Sequence, residues 1–148
     1  LDGANIEIRE EVGEENLFAF GLDSDSVGKL RSEGYRPSDY LECNRELEEV
    51  LEMIESGHFN PGRPELYSEL CRDLREHDHF MLLADFDSYL RAQHTVVEAR
   101  KDQKSWTRKS IMNTAGSGKF SSDRTILEYA QEIWKVEPVP TELHGHKI

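Results

Sequence analysis

Leu47, Val50, Leu51 and Ile54 fall at i, i+3, i+4 and i+7, the spacing of a helix with one apolar face, and Gly57 closes the pattern. The rest of the chain can be parsed around this stripe. Asn5 to Val12 mixes Ile6 and Ile8 with charges, which suits a strand end or a short helix, and Gly13 stops it. Leu17-Phe18-Ala19-Phe20-Gly21 is a short apolar run bounded by Asn16 and Gly21, the signature of a buried strand. Asp23 reads as the N-cap of a helix through Val27, Leu30 and Arg31, ended by Gly34. Pro37 allows a turn or a first helical turn, and His58–Pro64, with Pro61, Gly62 and Pro64, is a loop.

Four more helical stretches follow. Leu66, Leu70 and Leu74 make a narrow stripe; Tyr89, Gln93, Val96 and Val97 mark a second helix, begun at Asp85 or Asp87. Trp106 and Ile111 lie in a third, ended near Gly116 or Gly118. Ser121, Ser122 or Asp123 caps the last, with Ile126, Tyr129, Ala130 and Ile133 facing inward and Pro138 and Pro140 ending it. Residues 1–140 are expected to form one unit and 141–148 a loose tail. The expected chain is mostly helical, with one or two short strands near its start.

Composition narrows the function classes. A chain of 148 residues is one domain's worth. Its 30 Asp and Glu against 18 Lys and Arg leave a net charge of −12, which argues against nucleic-acid or anionic-membrane surfaces. The acidity is uneven: residues 1–56 hold 16 of the acids and 5 of the bases. Such runs are ordinarily solvated faces; the sharper reading is a basic partner or a basic remainder of the same chain. No apolar run approaches the roughly 18 residues of a membrane span, and two cysteines are too few for a disulfide scaffold. The composition suits a soluble, cytosolic chain. Leu1 is no initiator, so the sequence reads as a piece of something longer.

Candidate chemistry is sparse. His77-Asp78-His79 with Asp85 has metal-ligand residue types but no further ligand at a recognised spacing, so the expectation is a solvated loop and no metal. His144 and His146 in the tail carry little meaning. Gly116-Ser117-Gly118-Lys119 suggests a phosphate loop but fails it: Asn113 stands where a glycine is needed, Phe120 where Ser or Thr is needed, and a helix precedes it. Cys43 and Cys71 read as small buried apolar groups rather than nucleophiles, and Trp106 and Trp134 as core or interface anchors.

Several blocks together carry more weight. Leu1-Asp2-Gly3-Ala4-Asn5-Ile6-Glu7, Gly13-Glu14-Glu15-Asn16 and Phe20-Gly21 open the chain; Gly34-Tyr35 and Ala84-Asp85-Phe86 follow in order. Then come Trp106-Thr107-Arg108, Asn113-Thr114-Ala115, Ser117 to Ile126, and Glu132-Ile133-Trp134 before Val136-Glu137-Pro138. Over residues 1 to about 140 this sequence resembles the C-terminal domain of α-glucan (glycogen, starch or maltodextrin) phosphorylases. Gly116 stands where the pattern often has a larger residue, and Ala19 lies in a strand usually bulkier, so local repacking is expected.

The resemblance implies an α/β fold: part of the C-terminal Rossmann-like domain of a two-domain glycosyltransferase. The parent reaction would be phosphorolysis of terminal α-1,4-glucosidic bonds, releasing glucose 1-phosphate. Its partners would be the remainder of the chain, α-glucan and phosphate, with the parent a homodimer. The implied cofactor is pyridoxal phosphate, whose lysine lies upstream of the Leu-Asp-Gly-Ala-Asn block. Lys29, Lys101, Lys104, Lys109 and Lys119 sit in other contexts, so no catalytic or cofactor-binding residue maps onto this chain and no covalent cofactor is expected on it. Asp2, Gly3 and Asn5 follow the cofactor strand; they either support its geometry from behind or supply turn chemistry at a strand end. The rival to an enzyme segment is a free-standing acidic interaction module that keeps the fold without catalysis.

Overall fold

The computed structural model describes residues 3–137 and 139. Asp2, Leu1 and the expected tail 141–148, with its histidines, lie outside the described residues. The described chain is mostly helical: α1 (Gly3–Val12), α2 (Ser24–Ser32), α3 (Pro37–Cys43), α4 (Arg45–Glu55), α5 (Ser68–Glu76), α6 (Leu82–Lys101), α7 (Gln103–Gly116) and α8 (Ser122–Glu128). Short 3-10 turns at Glu14–Asn16, Pro64–Tyr67 and Ser117–Phe120 join some of them, and a wide π turn, Tyr129–Trp134, continues α8.

Several boundaries follow from local chemistry. The Asp23 carboxylate accepts the Ser26 amide at 2.7 Å and starts α2. Pro37 opens α3 at its first turn, where a missing amide costs nothing. Asn44 Oδ1 accepts the Leu47 amide at 3.0 Å and starts α4, and Asp102 caps α7 through the Lys104 and Ser105 amides. Gly57 ends α4 with φ +80°, and a Cβ there would lie 2.6 Å from Pro64 Cβ, so the turn is closed to other residues. Ser121 is the N-cap of α8, but its hydroxyl accepts no capping bond.

The structure corrects the strand expectation. Among the described residues there is no strand, and Leu17–Gly21 is a strap laid across two helices. Phe18 stacks on Trp106 of α7 at 6.1 Å, and Phe20 meets Tyr89 of α6 edge-on at 5.3 Å. Its backbone finds side chains rather than a ladder: the Gly21 amide donates to Ser88 Oγ at 3.0 Å and the Leu22 amide to Asp85 Oδ1 at 2.8 Å. Phe20 stays 43% exposed, so the run is not buried as its composition suggested.

Core residues concentrate in one half. Leu47 and Leu51 of α4 meet Leu83 of α6, with Tyr40, Leu41, Leu74 and Phe86 packed around them. Arg75 of α5 donates two bonds to the Glu48 carboxylate of α4, at 2.8 and 3.0 Å, and approaches Glu55 at 3.5 Å. Burial opposes its charge, but those carboxylates more than compensate and hold the guanidinium above its ordinary pKa. Cys71 is fully buried and its thiol is pushed up by that burial. Cys43 is exposed, against expectation, because it lies at the open end of α3. The Leu66–Leu70–Leu74 stripe is also corrected: Leu66 and Leu70 are exposed, and Cys71 with Leu74 turns inward.

The other half is thin. α1 packs on α7 with Val12 buried, and Gly116 lets the two backbones touch. Asn113 Nδ2 donates to Asn16 O at 3.2 Å, and Lys119 pairs with Glu11. On α8 and its π turn Ala130 is buried as expected, but Ile126, Tyr129 and Ile133, also expected to face inward, are exposed.

Candidate functional site

The best-formed cavity is a cleft of about 470 Å³ where the α2–α3 loop, α3, α4 and α6 meet. Its size lies within the range of small-molecule pockets. Leu47 and Leu83 line it from the core, Tyr35 and Tyr40 supply its aromatic part, and Glu33, Arg36, Asp39, Cys43, Asn44 and Asp87 its polar part.

One buried carboxylate organises this wall. Asp78 is 2% exposed and sits in a left-handed conformation, φ +38°, before α6. It accepts three bonds, from Tyr35 Oη at 2.5 Å and from the Leu82 and Leu83 amides at 2.9 Å each. These amides are the free donors at the start of α6, so one side chain caps α6 and ties the α2–α3 loop to it. Burial, and then the Asp78 carboxylate, push the Tyr35 phenol well above its ordinary pKa. Tyr40 lies 5.3 Å from Tyr35, tilted by 44°, and its phenol is raised by burial and by Asp39.

Around the rim, Arg36 is spent on Asp39, at 2.8 and 3.1 Å. Asn44 Nδ2 donates to Asp87 Oδ1 at 2.8 Å while its Oδ1 caps α4. Glu33 lies 3.9 Å from Lys29.

The residues singled out from sequence are not brought here. Gly3 and Asn5 are exposed at the start of α1, away from the residues lining the cleft. His77 and His79 stack at 5.4 Å on the surface, and Asp78 between them points into the Tyr35 bond instead. Among the described residues no group of three metal-ligating side chains converges. No described helix is long and apolar enough to cross a membrane. The Gly116–Lys119 segment is the end of α7 and a 3-10 turn, with Lys119 on Glu11.

Pyridoxal phosphate does not fit this cleft. That group needs a free amine beside a cradle for a phosphate dianion. Lys101 is on Glu98 at 2.6 Å, Lys109 donates to the Glu15 carbonyl, and no lysine lines the cleft. Three carboxylates line it against one committed guanidinium, the wrong sign for a phosphate.

Residues 1–136 match the family model described as carbohydrate phosphorylase, and the chain belongs to that family. Among its curated relatives, it is 50% identical over 143 residues to "Glycogen phosphorylase" of Synechocystis sp., covering 97% of this chain and 17% of that protein. It is 46% identical over 138 residues to the muscle and to the liver form of glycogen phosphorylase of Homo sapiens, covering 93% of this chain and 16% of each. The chain thus spans about one sixth of the length of these relatives.

Proposed function

We propose that this chain is the C-terminal portion of an α-glucan phosphorylase that works only as part of the longer enzyme. The observation that carries the reading is the family match over residues 1–136, with about half the residues identical to a glycogen phosphorylase. The parent reaction is phosphorolysis of terminal α-1,4-glucosidic bonds to glucose 1-phosphate, in the cytoplasm, by a pyridoxal-phosphate-dependent homodimer with two Rossmann-like domains. In this reading residues 1–140 complete the cofactor-binding domain. Asp2, Gly3 and Asn5 lie just beyond the cofactor segment and act through backbone geometry, and the chain itself supplies neither the cofactor lysine nor a catalytic group. The exposed apolar positions of α7, α8 and its π turn, Ile111, Ile126 and Ile133 among them, support the reading, because a remainder about five times as long is available to cover them.

A chimera tests this directly. The matching segment of the Synechocystis glycogen phosphorylase is replaced by residues 1–140 of this chain, and phosphate-dependent release of glucose 1-phosphate from maltodextrin is followed. Activity within about tenfold of the unaltered enzyme is expected. A chimera that folds and takes up pyridoxal phosphate yet stays inactive overturns the reading.

A further inference from the structure

We propose that the outer face of α7 docks an acidic, apolar-faced segment of the longer enzyme, which Lys104 and Arg108 recognise. The inference rests on the phosphorylase reading and adds to it the chemistry of the partner surface. The face is a shallow groove of about 640 Å³, lined by Gln103, Lys104, Thr107, Arg108, Ile111 and Met112. Ile111 and Met112 are 61% and 44% exposed and form its apolar end. At the other end stand two cations one helical turn apart. Cations elsewhere are mostly spent on carboxylates: Arg36 on Asp39, Arg45 on Glu49, Arg75 on Glu48 and Lys101 on Glu98. The side chains of Lys104 and Arg108 have no ion-pair or hydrogen-bond partner among the described residues. Carboxylates are not scarce in a chain with 30 acids and 18 bases, and like charges at i, i+4 repel, so nothing within the described chain rewards this arrangement.

The remaining polar residues of the groove are already satisfied. Gln103 Nε2 donates to Thr107 Oγ1 at 3.2 Å, and Gln103 Oε1 accepts Arg100 at 2.5 Å. What the groove leaves open is therefore two cationic donors beside an apolar strip. A free phosphate or a sugar would meet the cations and leave Ile111 and Met112 in water. A protein segment with Asp or Glu beside an apolar face covers both, with the carboxylates on the rim and Arg108 able to take one of them through two bonds. The length outside this chain supplies such a segment, since the chain covers only 17% of the Synechocystis relative. A second copy of this chain is the poorer occupant, because each copy carries a net charge of −12.

The test uses the chimera that carries residues 1–140 in the Synechocystis glycogen phosphorylase. It is treated with a carbodiimide, which joins an amine to a carboxylate in direct contact, and the linked peptides are mapped. Lys104 is expected to link to an Asp or Glu outside residues 1–140. Arg108→Lys, which keeps the charge and adds an amine, is expected to give a second link to the same stretch. Lys104→Glu combined with Arg108→Glu should speed amide exchange over Gln103–Gly116 about tenfold in the chimera, roughly threefold per rim charge, and leave it within about twofold in the isolated 148-residue chain. Links from Lys104 only to residues 1–140, of the same or a second copy, overturn the proposal. So do the absence of any link in a folded chimera and equal acceleration in the two backgrounds. Because links are read in any folded chimera, an inactive chimera counts against the phosphorylase reading, and an active one without the link against this proposal alone.

Discussion

Helices α4 and α8 carry the same kind of apolar stripe and meet opposite fates. On α4, Leu47 and Leu51 are 4% and 3% exposed, covered by α3, α5 and α6. On α8 and its π turn, Ile126 and Ile133 are 54% and 64% exposed, and Ala130 is the sole buried residue of that stretch. Charged neighbours do not explain the difference, since both helices carry them. Partners do: α4 stands among three helices tied by Arg75 and Asp78, whereas α8 contacts chiefly its own continuation and the short turn before it. A periodic stripe therefore tells which face is apolar and leaves open what covers it.

The comparison can be broken most sharply at Asp78. Asp78→Ala leaves two helix amides and the Tyr35 hydroxyl without their partner and keeps the strained turn, so a loss on the order of 4 kcal/mol is expected by urea unfolding. A loss below about 1 kcal/mol would mean that this corner is not what holds the α3–α6 group together. Next in size, Leu51→Ala should cost about 3 kcal/mol through the cavity it opens. Ile133→Ala should change stability by less than about 0.5 kcal/mol, since its side chain is already in water. Comparable losses at the two positions would show that α8 is docked after all. Removing the α4 cap with Asn44→Ala is worth about 1 kcal/mol, and amide exchange in α4 should remain slower than in Ser122–Trp134 even so.

The smallest effect concerns alkaline pH. The folded phenol of Tyr35 is raised relative to the unfolded chain, so its contribution is fully present below the unfolded pKa of about 10 and is lost as pH climbs toward the folded value. The stability advantage of the native chain over Tyr35→Phe should hold level from pH 6 to 9 and shrink above about pH 10. An advantage that grows there would contradict the Tyr35–Asp78 bond as described.

What could be read from the amino-acid order divides along the same line. Asp23 and Pro37 announce helix starts, and Gly13, Gly34 and Gly57 announce ends, because capping and positive φ are decided within a few residues. The family resemblance was legible for a similar reason, in unbroken blocks such as Ser117 to Ile126. Leu17–Gly21 misled because a strand is defined by its neighbour, and no run of five residues shows whether a neighbour is there. The cleft was illegible altogether. Tyr35 and Asp78 are 43 residues apart, Asn44 and Asp87 likewise, and no local pattern joins them. His77-Asp78-His79 reads as a solvated loop, yet Asp78 is buried as a strut between Tyr35 and the start of α6 while its flanking histidines stay exposed.

Gly116 carries a consequence for relatives of this chain. A Cβ at that position would stand 2.7 Å from the Glu11 carbonyl oxygen and 2.8 Å from Val12 Cα, so the separation of α1 and α7 is set by the absence of one carbon. Where the phosphorylase pattern places something larger there, the helices cannot keep this spacing, and the added atoms act as a shim. Superposed on α7, such a chain would show α1 offset as a rigid rod. A substitution at the far end of α7 would then be felt at the opening of the chain without any change in the residues between.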